Sequence, residues 1–139
     1  MSDSSFSDLL LRSVPALNRQ LSRELAFALR PLRVSHAQYL VIDLLLQKGD
    51  LPPRKISEAL LLDQSTVVST LTRMERDELI TRAEDPADGR SVLIQLTKRS
   101  RELAGDSRQA VGEVAQSYSQ KLSRSEFNEL ERLLEKLLD

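Results

Sequence analysis

A run of short hydrogen-bonding side chains in the middle of this 139-residue sequence is the feature best suited to a chemical task. The run consists of Gln64, Ser65, Thr66, Ser69 and Thr70, followed by Arg73. Serine and threonine can approach a phosphate or a base edge closely, and glutamine can pair with adenine in the major groove. The first turn of a helix also offers free backbone N–H groups to a phosphate. The pattern indicates contact with nucleic acid, and its alternative is an ordinary solvated helix face.

A second candidate is the stretch DPADGRSVLIQLT, which begins at residue 85. Its turn-forming residues separate two runs that can pair as strands, Ile80 to Glu84 and Ser91 to Leu96. A guanidinium at the tip of such a hairpin, here Arg90, can enter a narrow minor groove, where the negative potential is deepest. We expect Asp88 to orient the guanidinium of Arg90 or of Arg82. The alternative is a surface ion pair that contributes under about 1 kcal/mol.

The sequence offers no candidate residues for catalysis or for metal binding. It contains one histidine, no cysteine and no carboxylates clustered with a nucleophile, so we expect no enzyme activity, catalytic residue, metal site or cofactor. The lack of cysteine also excludes disulfides and a thiol switch within this sequence.

Charge alone does not explain an attraction to DNA. Lysine and arginine number 20 against 21 aspartate and glutamate, and the segment from Arg54 to Arg101 holds nine basic and eight acidic residues. The placement of individual charges must therefore carry the argument. Arg54 and Lys55, near a predicted helix start, are candidate phosphate contacts, and their alternative is ordinary solvation.

The elements that would position these residues form a helix-turn-helix followed by a hairpin. Helices are predicted from a cap at Ser35 to Leu46, from Pro53 to about Leu61, and from Gln64 to about Asp77 with Asp63 as its cap. In the last of these, Val67, Leu71 and Met74 face inward, which leaves the polar run on other faces. The prediction is a mainly α-helical fold with a small β wing.

Long apolar stripes flank this centre. The first helix extends to about Arg30, and Pro15 either kinks it or lies near its start with Ser13 as the cap. Two more helices follow caps at Thr97 and Ser123. These stripes either pack against a second copy of the chain or face one another in a monomeric bundle, and the patterning favours a dimer.

No segment of the sequence is long and apolar enough to span a membrane. The run from Leu40 to Leu46 is interrupted by Asp43, and the amino terminus has Asp3 and Asp8 without a basic region. We therefore expect a cytoplasmic protein with no membrane partner.

With these pieces in order, the chain resembles the multiple-antibiotic-resistance regulator (MarR) family of winged-helix transcription factors. QSTVVSTLTRMERDELITR is similar to the family's recognition helix and first wing strand, and DPADGRSVLIQLT is similar to its wing. The hallmark positions are Asp88, Arg90, Leu96 and Thr97. The chain departs from the family in having Pro52 in place of a polar cap, Ser100 in place of a glycine, and Glu78 in place of the glycine that usually permits a left-handed helix ending.

The resemblance implies one domain over residues 1–139, with dimerisation helices at 1–34 and 98–139 and a winged helix-turn-helix lobe at 35–97. It implies a homodimer on double-stranded DNA, with two recognition helices in successive major grooves and half-sites about 10 base pairs apart in an inverted repeat. It also implies a small aromatic or phenolic effector. His36 and Tyr39 are candidates to line its pocket, and their alternatives are a surface residue and a core residue.

The leading interpretation is a sequence-specific transcriptional regulator, most simply a repressor that a small ligand releases by changing the spacing of the two lobes. The alternative is a winged-helix module that docks proteins, which the near-neutral charge of the central segment favours. Salt-sensitive binding to promoter DNA separates the two.

Overall fold

The amino-terminal helical run is irregular just ahead of Pro15. The structure, a computed structural model, describes residues 3–139, with side chains from residue 5 onward. Helix α1 (Asp3–Asp8) leads through a π-helical turn, Leu9–Ser13, into α2 (Val14–Leu29). A proline lacks the N–H that closes a regular turn and its ring crowds the preceding turn, which the wider π turn relieves. Ser13 is itself helical and its side chain makes no capping hydrogen bond, so of the two alternatives left open by the sequence, an irregular turn ahead of Pro15 is found and a start capped by Ser13 is not.

The next two connections follow the predicted signals. A short 3₁₀ turn, Arg30–Leu32, ends the first helical run, and Arg33 has a positive φ of 57°. Helix α3 (His36–Lys48) then begins at a capping box in which the side chains of Ser35 and Gln38 each accept from the other's backbone N–H at 3.1 Å. The box satisfies two otherwise unpaired amides and fixes where α3 starts.

The helix-turn-helix comprises α4 (Pro53–Leu60) and α5 (Gln64–Arg76). Pro52 precedes α4 without any side-chain cap, and Pro53 supplies a backbone already suited to the first helical position. The buried side of this pair and of α3 forms one core, with Ile42, Ile56, Val67, Leu71 and Met74 at most 1% exposed.

The wing is a two-stranded antiparallel hairpin. Strands β1 (Ile80–Asp85) and β2 (Asp88–Leu96) pair with Ile80 opposite Leu96 and Asp85 opposite Asp88, which makes the loop shorter and both strands longer than predicted. Leu51 extends the sheet, because its carbonyl accepts the N–H of Ile94 at 2.8 Å. The buried Ile80, Ile94 and Leu96 hold the base of the wing on the core.

Two carboxy-terminal helices complete the chain, α6 (Lys98–Ser119) and α7 (Arg124–Leu138). Helix α6 packs against α2 and α3, whereas every residue from 119 to 139 is exposed. The apolar stripes therefore do not close into a bundle within one chain. The division into dimerisation helices and a separate lobe stays a prediction. Across residues 3–139, no helix combines the length and the apolar character needed to cross a membrane.

Helix α5 ends in a left-handed residue although no glycine is present. Glu78 has a φ of 61°, its N–H donates to the carbonyl of Glu75 at 3.1 Å, and the N–H of Leu79 donates to the carbonyl of Met74 at 2.8 Å. These are the two bonds of a Schellman ending, and the burial of both Met74 and Leu79 adds the apolar contact that accompanies it. Packing thus imposes a conformation that a glutamate side chain disfavours.

We predict that Glu78→Gly stabilises the protein by about 0.5–1 kcal/mol. Glycine adopts a positive φ without the steric strain that glutamate meets there, and the higher entropy of the unfolded glycine chain offsets only part of this gain. The measurement is urea unfolding at a fixed protein concentration. Glu58→Gly, in the regular helix α4, is the control and should lower stability by about 1 kcal/mol. A loss of stability in Glu78→Gly would contradict the strain argument.

The other end of α5 is capped by Asp63. Its carboxylate accepts the N–H of Thr66 at 2.7 Å and the hydroxyl of Ser65 at 3.0 Å. Hydrogen bonds from the side chain and backbone of Thr66, and then from Ser65, lower the pKa of Asp63 below its ordinary value of 3.8. The charged form is thus the one that holds the start of α5.

A lowered pKa in the folded state means that this contribution is complete above the unfolded value and is lost as pH falls through the folded value. The substitution Asp63→Asn keeps a capping oxygen on a side chain that cannot titrate. We expect wild type to lose stability relative to Asp63→Asn as pH falls below about 4, measured by urea unfolding between about pH 6 and pH 3. Parallel loss in both proteins would show that Asp63 is not involved.

Candidate nucleic-acid interface

The turn between α4 and α5 sets the direction in which α5 leaves the core. Leu61 ends α4 with a φ of 55°. The hydroxyl of Ser57 donates to the carbonyl of Leu62 at 2.5 Å, and the N–H of Leu62 donates back to the carbonyl of Ser57 at 3.2 Å. Asp63, the last residue of the connection, caps the first turn of α5. The three residues between α4 and α5 are thus fixed by the left-handed Leu61, the hydrogen bonds of Leu62 and this cap. The start of α5 is therefore presented at the surface in one orientation.

The outward surface of α5 carries most of the polar run identified from the sequence. Gln64, Ser65, Ser69 and Arg73 are exposed, and Thr66 is half-buried. Among the described side chains, Arg73 forms no ion pair within 4 Å. The guanidinium is therefore available to an external anion.

Thr70 does not belong to this surface. It is 8% exposed, so the prediction that it faces outward is wrong. On the helical wheel, position 70 lies about 40° from Met74 and about 60° from Val67, at one edge of the buried face of α5. A threonine methyl tolerates that environment, which is why the residue type alone was misleading.

Two outward residues were missed, Val68 and Thr72. Val68 is 57% exposed, and Thr72 is exposed with its hydroxyl donating to the carbonyl of Val68 at 2.8 Å. The signal was present, since both follow Gln64 at intervals of four residues. Val68 was missed because only polar and charged side chains of this helix were considered as DNA contacts.

Arg90 lies on β2 next to the wing tip and is exposed. Among the described side chains it has no ion-pair partner within 4 Å. Asp88 accepts the backbone N–H of Arg90 at 3.1 Å, while the guanidinium of Arg82 pairs with Glu75 at 3.1 Å. The expected pairing of Asp88 with a guanidinium is therefore wrong. Asp88 shapes the backbone instead, and Arg82 ties the wing to α5.

The basic pair at the start of α4 divides between two surfaces. Arg54 shares a groove of about 160 Å³ with Pro53, Gln64 and Val68, which puts it beside the first turn of α5. Lys55 lines a different surface with Lys48 and Glu58. Both are exposed. The structure thus joins Arg54, but not Lys55, to the outward face of α5.

His36 and Tyr39 lie on the first turns of α3. Burial lowers the pKa of His36, which favours its neutral form. Tyr39 is 9% exposed and part of the core, and burial, reinforced by the nearby Asp43 carboxylate, raises the pKa of its phenol. Asp43 in turn pairs with Arg108 of α6 at 2.8 Å. Sequence reasoning missed this link, because its members are 65 residues apart.

A groove of about 470 Å³ runs between α2 and α6. It is lined by Phe27, Ala28 and Val114 among apolar side chains and by Arg23, Glu24 and Glu113 among charged ones. Neither His36 nor Tyr39 lines it, so their predicted role in a ligand pocket stays a prediction. In the part of the chain that the structure describes, no group of three or more histidine, cysteine or acidic residues is placed to hold a metal ion.

Comparison with known proteins gives these observations a family. Residues 34–92 match the MarR family. The chain is 39% identical over 83 residues to the organic hydroperoxide resistance transcriptional regulator of Bacillus subtilis, covering 60% of this chain and 56% of that protein. It is 35% identical over 105 residues to the transcriptional regulator MgrA of Staphylococcus aureus, covering 76% of this chain and 70% of MgrA.

Two solved structures extend the likeness beyond the central lobe. A cysteine-to-serine mutant of Escherichia coli MarR, complexed with operator DNA, is 27% identical with a TM-score of 0.86 over 96% of this chain and 98% of that one. BpsR of Bordetella bronchiseptica, whose DNA binding is regulated by 6-hydroxynicotinic acid, is 25% identical with a TM-score of 0.88 over 96% of each chain. With its helix-turn-helix, its wing and this relation to MgrA, the chain belongs to the MarR family of winged-helix transcriptional regulators, which are not enzymes.

Proposed function

We propose that the protein is a homodimeric, sequence-specific repressor that binds an inverted-repeat operator and is released by a small ligand. One observation carries the proposal. The outward face of α5 and the exposed Arg90 next to the wing tip both belong to a fold that matches that of E. coli MarR complexed with operator DNA. This likeness favours DNA binding over the protein-docking alternative.

The proposed reading of the major groove rests on the exposed part of α5. Gln64 is suited to adenine, Ser69 is short enough to contact a base or a phosphate, and Ser65, whose hydroxyl proton is donated to Asp63, can accept a hydrogen bond from a base. Arg54, beside Gln64, and Arg73, farther along α5, supply phosphate contacts in the same proposal. Thr66 contributes its backbone N–H to the cap and Thr70 is buried, so neither is assigned a base contact.

The proposed minor-groove contact rests on Arg90. The hairpin is two strands wide, and Asp88 fixes its backbone at the arginine through a hydrogen bond of 3.1 Å. Since Arg90 forms no ion pair with any side chain that the structure describes, its guanidinium gives up no such pair when it enters a groove. Asp88 therefore belongs to the proposed site as a positioning residue.

The proposed dimer rests on apolar surface that one chain leaves uncovered. Near the amino terminus, Leu9, Leu11 and Leu17 are 44%, 75% and 50% exposed. Helix α7 buries none of its residues and presents a leucine stripe at helical spacing. The stripe consists of Leu130, Leu133, Leu134 and Leu137, each 41–57% exposed. A second copy of the chain that covers these apolar surfaces removes them from water, which stabilises the dimer.

Ligand release is proposed from BpsR and from the groove between α2 and α6. A groove with apolar walls and a few charged side chains suits a small aromatic acid. A ligand that binds only one spacing of the two lobes would shift the dimer away from DNA. A repressor of this kind acts on chromosomal DNA, which fits the proposed cytoplasmic location.

We predict that Arg90→Ala weakens binding to an operator selected from random duplex DNA with the wild type by at least about tenfold, because a guanidinium contact to the minor groove is lost. The dimer and the melting curve should not change, since the side chain is exposed. The measurement is a gel shift at fixed salt. Arg19→Ala, which removes an exposed charge from α2, is the control and should bind within about twofold of wild type. Unchanged affinity in Arg90→Ala would refute its role.

We predict that Leu134→Glu dissociates the dimer at concentrations where wild type stays dimeric, a loss of at least about tenfold in dimer affinity, because it buries a charge in an apolar interface. Light scattering after size exclusion measures the mass. Asn128→Glu adds the same charge to the opposite face of α7 and should remain dimeric. A fully dimeric Leu134→Glu would place the interface elsewhere.

A further inference from the structure

The exposed valine of α5 has no role in the fold. Val68 is 57% exposed, while its neighbour Val67 is 1% exposed and does the packing. Within α5, Val68 is the large apolar side chain that remains exposed. A β-branched residue is also a weaker helix former than the alanine or lysine that an exposed helix position usually favours. The valine therefore contributes neither to burial nor to the helix.

The surroundings of Val68 make it the apolar spot of a polar surface. Gln64 and Thr72 lie one turn before and after it, and Ser65 and Ser69 lie beside it on the outward side. The hydroxyl protons of Ser65 and Thr72 are already donated, to Asp63 at 3.0 Å and to the carbonyl of Val68 at 2.8 Å. The ability of these neighbours to donate a hydrogen bond to a base is thus reduced next to the valine.

The major-groove edge of DNA offers one apolar group that such a spot can recognise, the C5-methyl of thymine. Building on the proposed function, we propose that Val68 is a specificity-determining residue that contacts a thymine methyl in each operator half-site. Gln64 lies on the same flank one turn earlier, about 6 Å along the helix axis. Since base pairs are spaced about 3.4 Å apart, its adenine lies one or two steps from that thymine.

The geometry favours this assignment over a solvated valine. Val68 lines the 160 Å³ groove together with Gln64 and Arg54, so it lies beside the proposed base reader and the proposed phosphate contact. When Gln64 contacts a base and Arg54 contacts a phosphate, Val68 is brought close to the base edges in the major groove of the DNA. Contact between a thymine methyl and the side chain of Val68 removes apolar surface of both groups from water.

The test uses the full-length protein. Operators are selected from random duplex DNA with the wild type, and each thymine of a half-site is then replaced by deoxyuridine, which removes the methyl group alone. We expect one thymine per half-site whose replacement weakens wild-type binding about fourfold. In Val68→Ala, a substitution that suits a helix, the same replacement should have no effect. Thr72→Ala, which shortens the exposed β-branched residue one turn farther along α5, is the matched control and should keep the sensitivity.

The outcomes separate this inference from the proposed function. If wild type binds its selected operators but no thymine is sensitive to loss of the methyl, or if the sensitivity persists in Val68→Ala, the role of Val68 is overturned and the repressor proposal stands. If wild type selects no sequence and shows no salt-dependent binding, both fail. Melting curves of both variants establish that folding is unchanged.

Discussion

Burial of one face of α5 is the constraint on which the rest of the structure depends. Val67, Leu71 and Met74 are each at most 1% exposed, and burying side chains of this kind stabilises a fold by about 1.5–3 kcal/mol apiece. Rotation of α5 about its axis would exchange these residues for Ser65, Ser69 and polar neighbours, which the core cannot accommodate. The residues that must be buried therefore determine which residues of α5 face outward, and no further element is needed to present them as an interface.

The ends of α5 show how local and tertiary forces share this task. At its start, the Asp63 carboxylate holds the first turn through short contacts that the sequence already specifies. At its end, Glu78 adopts a left-handed conformation because Leu79 must reach the core. The same ending is tied to the wing, since the hydroxyl of Thr97 donates to the carbonyl of Glu78 at 2.8 Å. The helix and the wing are thus held as one unit.

A polar link joins this unit to the long carboxy-terminal helices. Arg108 of α6 pairs with Asp43 of α3 at 2.8 Å, and Gln47 donates to the same carboxylate at 2.8 Å. The guanidinium is largely exposed, so the pair adds little stability and acts mainly on orientation. Helix α3 contacts α4 and α5 as well as α6. Helix α3 is therefore one element in the chain of contacts between the long helix α6 and α5.

The sequence by itself determined the elements and most of the outward residues, because caps, prolines and apolar spacing act over a few positions. It located the caps at Ser35, Asp63 and Thr97, and the hairpin that carries Arg90. Only the tertiary structure decided that Thr70 is buried and that Asp88 bonds a backbone N–H instead of a guanidinium. Those outcomes depend on where the core lies and on which groups meet across long stretches of chain. A local sequence pattern contains neither kind of information, since the same threonine or aspartate is compatible with it in both arrangements.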